Sequence, residues 1–266
     1  MLAIIIPQGD DKLYASLLFQ KNKEFRVYVS EKDEIAMEYR DRLPMVTGGL
    51  ALVEEPFVSI LEPGATPDKH FVERVLRSIS RHPEFDVYHV NPVGGKDFPR
   101  KLGQSKFFKL TVLKGVKAPL SSFIFRTLSL KAKAVIRPDG TLDGLATVLA
   151  CTQEHPIRNV WHQRLDWTAP ELPMDAESVE KRIRERLDFY RWTEIVFGED
   201  YYPIGVSERL ELVCKEIARL YPAHDTQELK EILATFQAAQ GPIRKLRAAN
   251  ALKAALKQRE LELSRV

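Results

Sequence analysis

Four short apolar runs, spaced by stretches of helical period, constrain this chain more than any other feature. Residues 2–6 (Leu-Ala-Ile-Ile-Ile), 25–29, 57–61 and 86–90 are strand-length and rich in Val, Ile, Leu and Phe. Between them, Asp10 and Asp11 provide a cap and first-turn acid for a helix carrying Leu13, Leu17 and Leu18. Residues 33–43 read as a second helix, closed by Pro44. Thr66-Pro67-Asp68 reads as the start of a third, with Phe71, Val72, Val75, Leu76 and Ile79 on one face. Strands joined by helices must cross over right-handedly, so this alternation predicts an α/β fold with a mostly parallel sheet wrapped on both sides.

The rest of the chain is organised differently. Residues 91–117 contain Gly94, Gly95, Gly103 and Gly115 and read as a long surface loop around a short strand at 106–112. Residues 119–130 and 142–153 read as helices, and 157–161 as a strand. From Asp175 onward only helical patterns follow, broken at Gly198, Pro203, Pro222, Gly241 and Pro242. The expected division is an α/β domain over 1–170 and an all-helical C-terminal extension over 171–266.

Charge and cysteine usage narrow the function classes. The formal charge of +3 leaves no electrostatic footprint for nucleic acid, and none is expected as a partner. The charge is uneven: residues 241–266 hold seven Lys/Arg against two Glu, net +5, which leaves −2 for the remainder. That last helix is basic and amphipathic, which suits an oligomer contact, an intramolecular contact, or peripheral attachment to an anionic inner-membrane surface. Cys151 and Cys214 are too far apart in sequence for a metal knuckle and read as buried thiols. Residues 2–6 are too short for a signal peptide, and no run approaches the ~20 apolar residues of a membrane span. A cytoplasmic location is expected.

The functional signal begins at residues 57–64, Phe-Val-Ser-Ile-Leu-Glu-Pro-Gly, where a strand runs into a carboxylate and a turn. Open α/β sheets bind ligands at such strand ends. Together with Ile4-Ile5-Ile6-Pro7, with Lys117 to Arg126 (Lys-Ala-Pro-Leu-Ser-Ser-Phe-Ile-Phe-Arg), and with Pro138-Asp139-Gly140-Thr141-Leu142-Asp143, the order of landmarks resembles a nucleotide-sugar glycosyltransferase of the GT-A fold, most similar to the family-2 enzymes. The resemblance covers residues 1–165. It implies a Rossmann-like GT-A sheet and transfer of a sugar from a nucleotide-sugar donor to a surface glycan or lipid-linked acceptor, as in polysaccharide biosynthesis. It also implies donor contacts at Pro7, Glu31, Asp33 and Glu62, a divalent cation (Mn or Mg) at Glu62, and Asp143 as catalytic base; His162, at the strand end near Trp161, is a further candidate metal ligand by position, although a lone histidine is more often a surface or packing residue.

Departures from the family pattern are specific. Its Asp-x-Asp is reduced to Glu62-Pro63-Gly64, its paired nucleobase acids to Val29-Ser30-Glu31-Lys32-Asp33, and its Glu-Asp to Leu142-Asp143. Scattered Lys96, Lys101, Lys106 and Arg164 could balance the leaving-group charge instead of a metal, although loop lysines are more often only solvated. By residue type alone Asp143 is a helix N-cap, and the resemblance is what makes it a base. A non-catalytic GT-A-like protein that binds a partner or a glycan is the second reading, and an unrelated α/β nucleotide-binding enzyme the third.

Overall fold

The computed structural model describes residues 1–168, apart from 95, 96, 114, 115, 117, 138 and 139, together with Phe189 and Val196. The chain divides into two compact units, Met1–Pro170 and Glu171–Val266. The helices expected after Asp175, and Cys214 with them, lie outside the described residues.

The first unit is a mixed α/β layer structure. Its strands are β1 (Leu2–Ile6), β2 (Phe25–Val29), β3 (Met45–Thr47), β4 (Phe57–Ile60), β5 (Ala65–Pro67), β6 (Val87–Pro92), β7 (Lys101–Leu102), β8 (Phe123–Arg126) and β9 (Ile157–Trp167). Its α-helices are α1 (Asp11–Leu18), α2 (Glu34–Tyr39), α3 (Phe71–Arg81), α4 (Gln104–Phe108), α5 (Thr127–Lys133) and α6 (Gly144–Cys151). The sheet order is β3-β2-β1-β4-β8-β6-β9-β5, with β7 on β9. Strands β3, β2, β1 and β4 are mutually parallel, as expected from the strand–helix alternation, and β6 and β9 form a further parallel pair. Between β4 and β6 lies β8, antiparallel to both.

Every residue of β1 is buried, as its unbroken apolar run requires of a strand covered on both faces. Leu2, Ile4 and Ile6 join Leu13 and Leu17 of α1 and Phe71, Val72, Val75 and Ile79 of α3 in one core. Each such side chain contributes about 1.5–3 kcal/mol on burial. Asp10 caps α1 through Leu13 N, and the cap was legible in the sequence.

Several local expectations are corrected. The segment 106–112 is not a strand: α4 and a π turn at Lys109–Leu113 occupy it, and buried Gln104, Phe107 and Phe108 share one helical face. Nor is 119–130 one helix, since a 3-10 turn at Leu120–Ser122 leads into β8 before α5 begins. The third helix starts at Phe71, because residues 65–67 pair with β9 as a strand. Strand β9 runs on to Trp167, beyond the expected 161.

Candidate functional site

The register of the parallel strands brings several expected residues to one lip. Ile6 pairs with Val29 and Ile5 with Ile60, so Pro7, the Ser30–Glu31 turn and Glu62 emerge at adjacent C-terminal strand ends. Pro7 and Glu31 are exposed there, whereas Asp33 is buried.

The Asp33 carboxylate is taken up by three donors. Its Oδ1 caps α2 through Ala36 N (3.2 Å), and its Oδ2 accepts from Gly9 N (2.8 Å) and from the Tyr14 hydroxyl (2.7 Å). It thereby ties the β1–α1 turn to the β2–α2 turn. Burial, then the hydrogen bond to Asp33, raise the Tyr14 pKa far above that of an ordinary phenol. A Cβ at Gly9 would lie 2.3 Å from the Tyr14 ring, so a larger residue there would displace the tyrosine that donates to Asp33. Between the end of β2 and α2 is a cleft of about 210 Å³, lined by Ser30, Glu31, Asp33, Met37, Arg40 and Thr47 among others. It is below the ~300–1,000 Å³ of a whole small-molecule pocket and suits a fragment such as a nucleobase.

A second cluster sits at the end of β4. The Glu62 amide donates to Ser121 Oγ (2.8 Å), and Ser121 Oγ donates in turn to Glu62 Oε2 (3.3 Å). Burial raises the Glu62 pKa, while the Ser121 hydrogen bonds and the charge of Arg137 lower it without cancelling the rise. Arg137 Nε also donates to Asp143 Oδ2 at 3.3 Å. A small hairpin fixes that pair: Ile136 bridges Leu142, Arg137 N donates to Thr141 O, and Asp143 N donates to Val135 O. Gly140 turns the hairpin with φ +81°. Asp143 Oδ1 meanwhile caps α6 through Ala146 N (2.9 Å). Gly144 packs against Leu120, where a Cβ would lie 3.2 Å from the leucine side chain, so the start of α6 meets the segment that clasps Glu62. Arg137 thus pairs with Asp143, and its charge also reaches Glu62, 81 positions earlier in the chain.

The turn after Glu62 is equally constrained. Gly64 has φ +82°, donates to Asp10 Oδ2 (3.0 Å), and accepts from Thr168 N (3.0 Å).

The described residues do not fit a divalent cation at Glu62. Among them no group of three or more His, Cys, Asp or Glu comes together. A hard cation wants several oxygen ligands and negative charge, whereas Glu62 offers one partly buried carboxylate beside a guanidinium. His162 belongs to β9, and its side chain lies outside the described residues. Of the lysines and arginine considered as alternative cations, Arg164 pairs with Asp97 and Lys101 lies over the Phe85 ring; Lys96 lies outside the described residues.

Ser121, Arg137 and Tyr14 were not singled out in the sequence. For Arg137 a signal existed, since Pro138-Asp139-Gly140 is a turn signature that brings 137 and 143 together. Cys151 is buried, and burial pushes its thiol up to about 11, as for an unreactive packing residue. Among the described residues no helix is long and apolar enough to cross a membrane.

No family model matches the chain, and no curated protein matches its sequence. Solved structures do match its fold. The crystal structure of S. aureus TarS 1-349 is 15% identical, with a TM-score of 0.54 over 98% of this chain and 91% of that one. A longer S. aureus TarS structure is 16% identical with a TM-score of 0.55, and the match spans 96% of this chain but 55% of that one. The complex of TarS 1-349 with UDP-GlcNAc is 14% identical, with a TM-score of 0.54 and coverage of 98% and 92%. Likeness at such identity is likeness of fold, and the fold of this chain is a mixed α/β, Rossmann-like GT-A fold.

Proposed function

We propose that this chain is a glycosyltransferase that moves a sugar from a nucleotide-sugar donor to a surface glycan or lipid-linked acceptor. The observation that carries the reading is that Glu62, on the strand-end lip that also holds Pro7 and Glu31, feels the charge of Arg137, which pairs with Asp143. A solved relative in fold holds UDP-GlcNAc, which makes a uridine diphosphate sugar the first donor to try.

In this reading Asp143 Oδ2 takes the proton of the acceptor hydroxyl, and the acceptor oxygen bonds to the sugar C1. The bond from C1 to the diphosphate oxygen breaks, and the nucleoside diphosphate departs with that electron pair. Arg137 offsets the charge growing on the leaving group, the task a metal would otherwise perform. The nucleobase occupies the cleft beside Glu31, with Asp33 shaping its wall, while Pro7 and Glu62 hold the donor. Residues 1–170 carry the donor site, and 171–266 serve the acceptor, a second copy or a membrane surface.

The second reading, a non-catalytic GT-A-like protein, draws on the commitment of Asp33 to structural hydrogen bonds and on there being, among the described residues, no group of acids or histidines to share a metal with Glu62. Thermal shift with UDP, GDP, CMP and their sugars, with and without Mn²⁺, separates the two. A shift with one nucleotide supports the transferase, and none with any supports the binding protein. Asp143→Asn keeps a capping oxygen but not a base. It is expected to retain donor affinity while release of nucleoside diphosphate from the sugar donor stops; unchanged release would remove Asp143 from the chemistry.

A further inference from the structure

Three strands across the sheet from β4, at the start of β9, the first unit carries a cavity of about 380 Å³ that Glu62, Arg137 and Asp143 do not line. Its walls include Arg74, Arg77 and Arg81 from α3, Arg100 beside β7, Arg158 of β9, and His82. Among the described residues, no acidic one lines it.

The arrangement is built by secondary structure. Positions 74, 77, 78 and 81 recur at helical spacing, so α3 buries its Phe71/Val72/Val75/Ile79 stripe and turns a cationic one toward the cavity. Arg158 on β9 and Arg100, just before β7, are brought together because Lys101 pairs with Arg158 and Asn159 N donates to Arg100 O. Three arginines along one helical face repel one another, a cost that Asp68 and Glu73 offset in part and a bound anion would offset further.

Part of this charge is held in position from behind. Glu73 pairs with Arg77 (2.5 Å), while Asp68 (3.6 Å) and Gln163 (3.0 Å) hold Arg74. Arg158 is stationed over the Phe85 ring and donates one Nη2 hydrogen bond to His82 Nε2 (2.7 Å). Its Nε is buried without a hydrogen-bond partner among the described residues. A guanidinium stationed in this way, in a cavity lined by other cations, suits an oxyanion.

We propose that this pocket binds a ligand carrying two or more linked phosphoryl groups. The planar guanidinium fork matches phosphate oxygens bidentately. Arg74 to Arg81 spans seven residues, about 10 Å of helix at 1.5 Å per residue, which is longer than one phosphate and matched by an oligophosphate or a phosphodiester. The site is independent of the donor reading, because it uses none of its residues.

The test is calorimetric titration of the full chain with inorganic pyrophosphate and tripolyphosphate, and sedimentation with cardiolipin vesicles against phosphatidylcholine vesicles. Wild type is expected to bind tripolyphosphate, and R77Q/R81Q to bind it at least about tenfold more weakly, as the loss of charge-assisted bonds implies. The affinity should fall steeply with added salt, whereas UDP binding should not change between wild type and variant. Binding to cardiolipin alone, abolished by R77Q/R81Q, would place the phosphoryl groups on a lipid headgroup. Should the double variant melt early, R158K decides instead, since it keeps the charge and loses the fork. Absence of binding to every probe, or equal binding by wild type and variants, overturns the proposal, and neither result touches the donor site.

Discussion

Arg137 Nε lies 3.3 Å from Asp143 Oδ2, and the same guanidinium lowers the pKa of Glu62. One cation thus pairs with one carboxylate and acts at longer range on a second, and the two come from segments far apart in the chain. Replacing Arg137 by Gln should leave Asp143 as a cap, let Glu62 titrate higher still, and lower turnover by at least about tenfold, the usual loss when a group that stabilises developing charge is removed. The pH–rate profile and nucleotide-diphosphate release check this. A variant with wild-type turnover would show that Arg137 is structural.

Glu62 makes a prediction about stability whose sign is opposite to that of most acids. Its pKa is raised in the fold, chiefly by burial, so the folded chain binds the proton more tightly than the unfolded one. This favours folding below the unfolded-state pKa, and the benefit is lost as pH rises through the folded value. Glu62→Gln should therefore melt higher than wild type at pH 7, with the difference shrinking toward pH 4. Melting curves at the two pH values would decide it. A carboxylate retained at a cost in stability is expected of a working site.

His89 behaves in the opposite sense. It is fully buried, stacked on Phe98 at 4.5 Å, and desolvation pushes its pKa down to about 3. The unfolded chain takes up a proton below about pH 6.5, so this residue costs about 1.4 kcal/mol of stability per pH unit as pH falls from there toward the folded value. His89→Phe should flatten that part of the acid-unfolding curve, as read by denaturant melts between pH 7 and 4.

Gly64→Ala tests the turn beyond Glu62. A Cβ at φ +82° would lie 2.5 Å from Thr168 O, a backbone atom. A loss of at least about 1–2 kcal/mol is expected from the left-handed conformation alone, and more from the clash. Chemical denaturation measures it, and Asn at the same position should be no better tolerated sterically.

The parts of this structure that were legible in the sequence are those built from local periodicity. Strands β1, β2 and β4 and the apolar face of α3 follow directly from runs and spacings. Strand β8 does not, because Phe123, Ile124 and Phe125 suit a buried helix as well as a strand, and only the partners β4 and β6 decide. Gly103 and the paired Phe107 and Phe108 hid α4 for a related reason, their aromatic content mimicking strand composition. Within the site, Glu62 and Asp143 were visible as carboxylates at a strand end and a helix start. Arg137 became visible only once the hairpin had formed, and the five-arginine cavity joins residues more than eighty positions apart.

The insertion of β8 between two strands that both precede it has a consequence for biosynthesis. Until residues 123–126 have been made and docked, Phe57–Ile60 and Val87–Pro92 each present a bare, strongly apolar edge to other chains. A nascent polypeptide stalled near residue 92 would hold the β3-β2-β1-β4 half-sheet and an unpaired β6, since both neighbours of β6 come later in the chain. Docking of β8 also delivers Ser121 to Glu62, so this carboxylate gains its clasp only when the sheet is sealed.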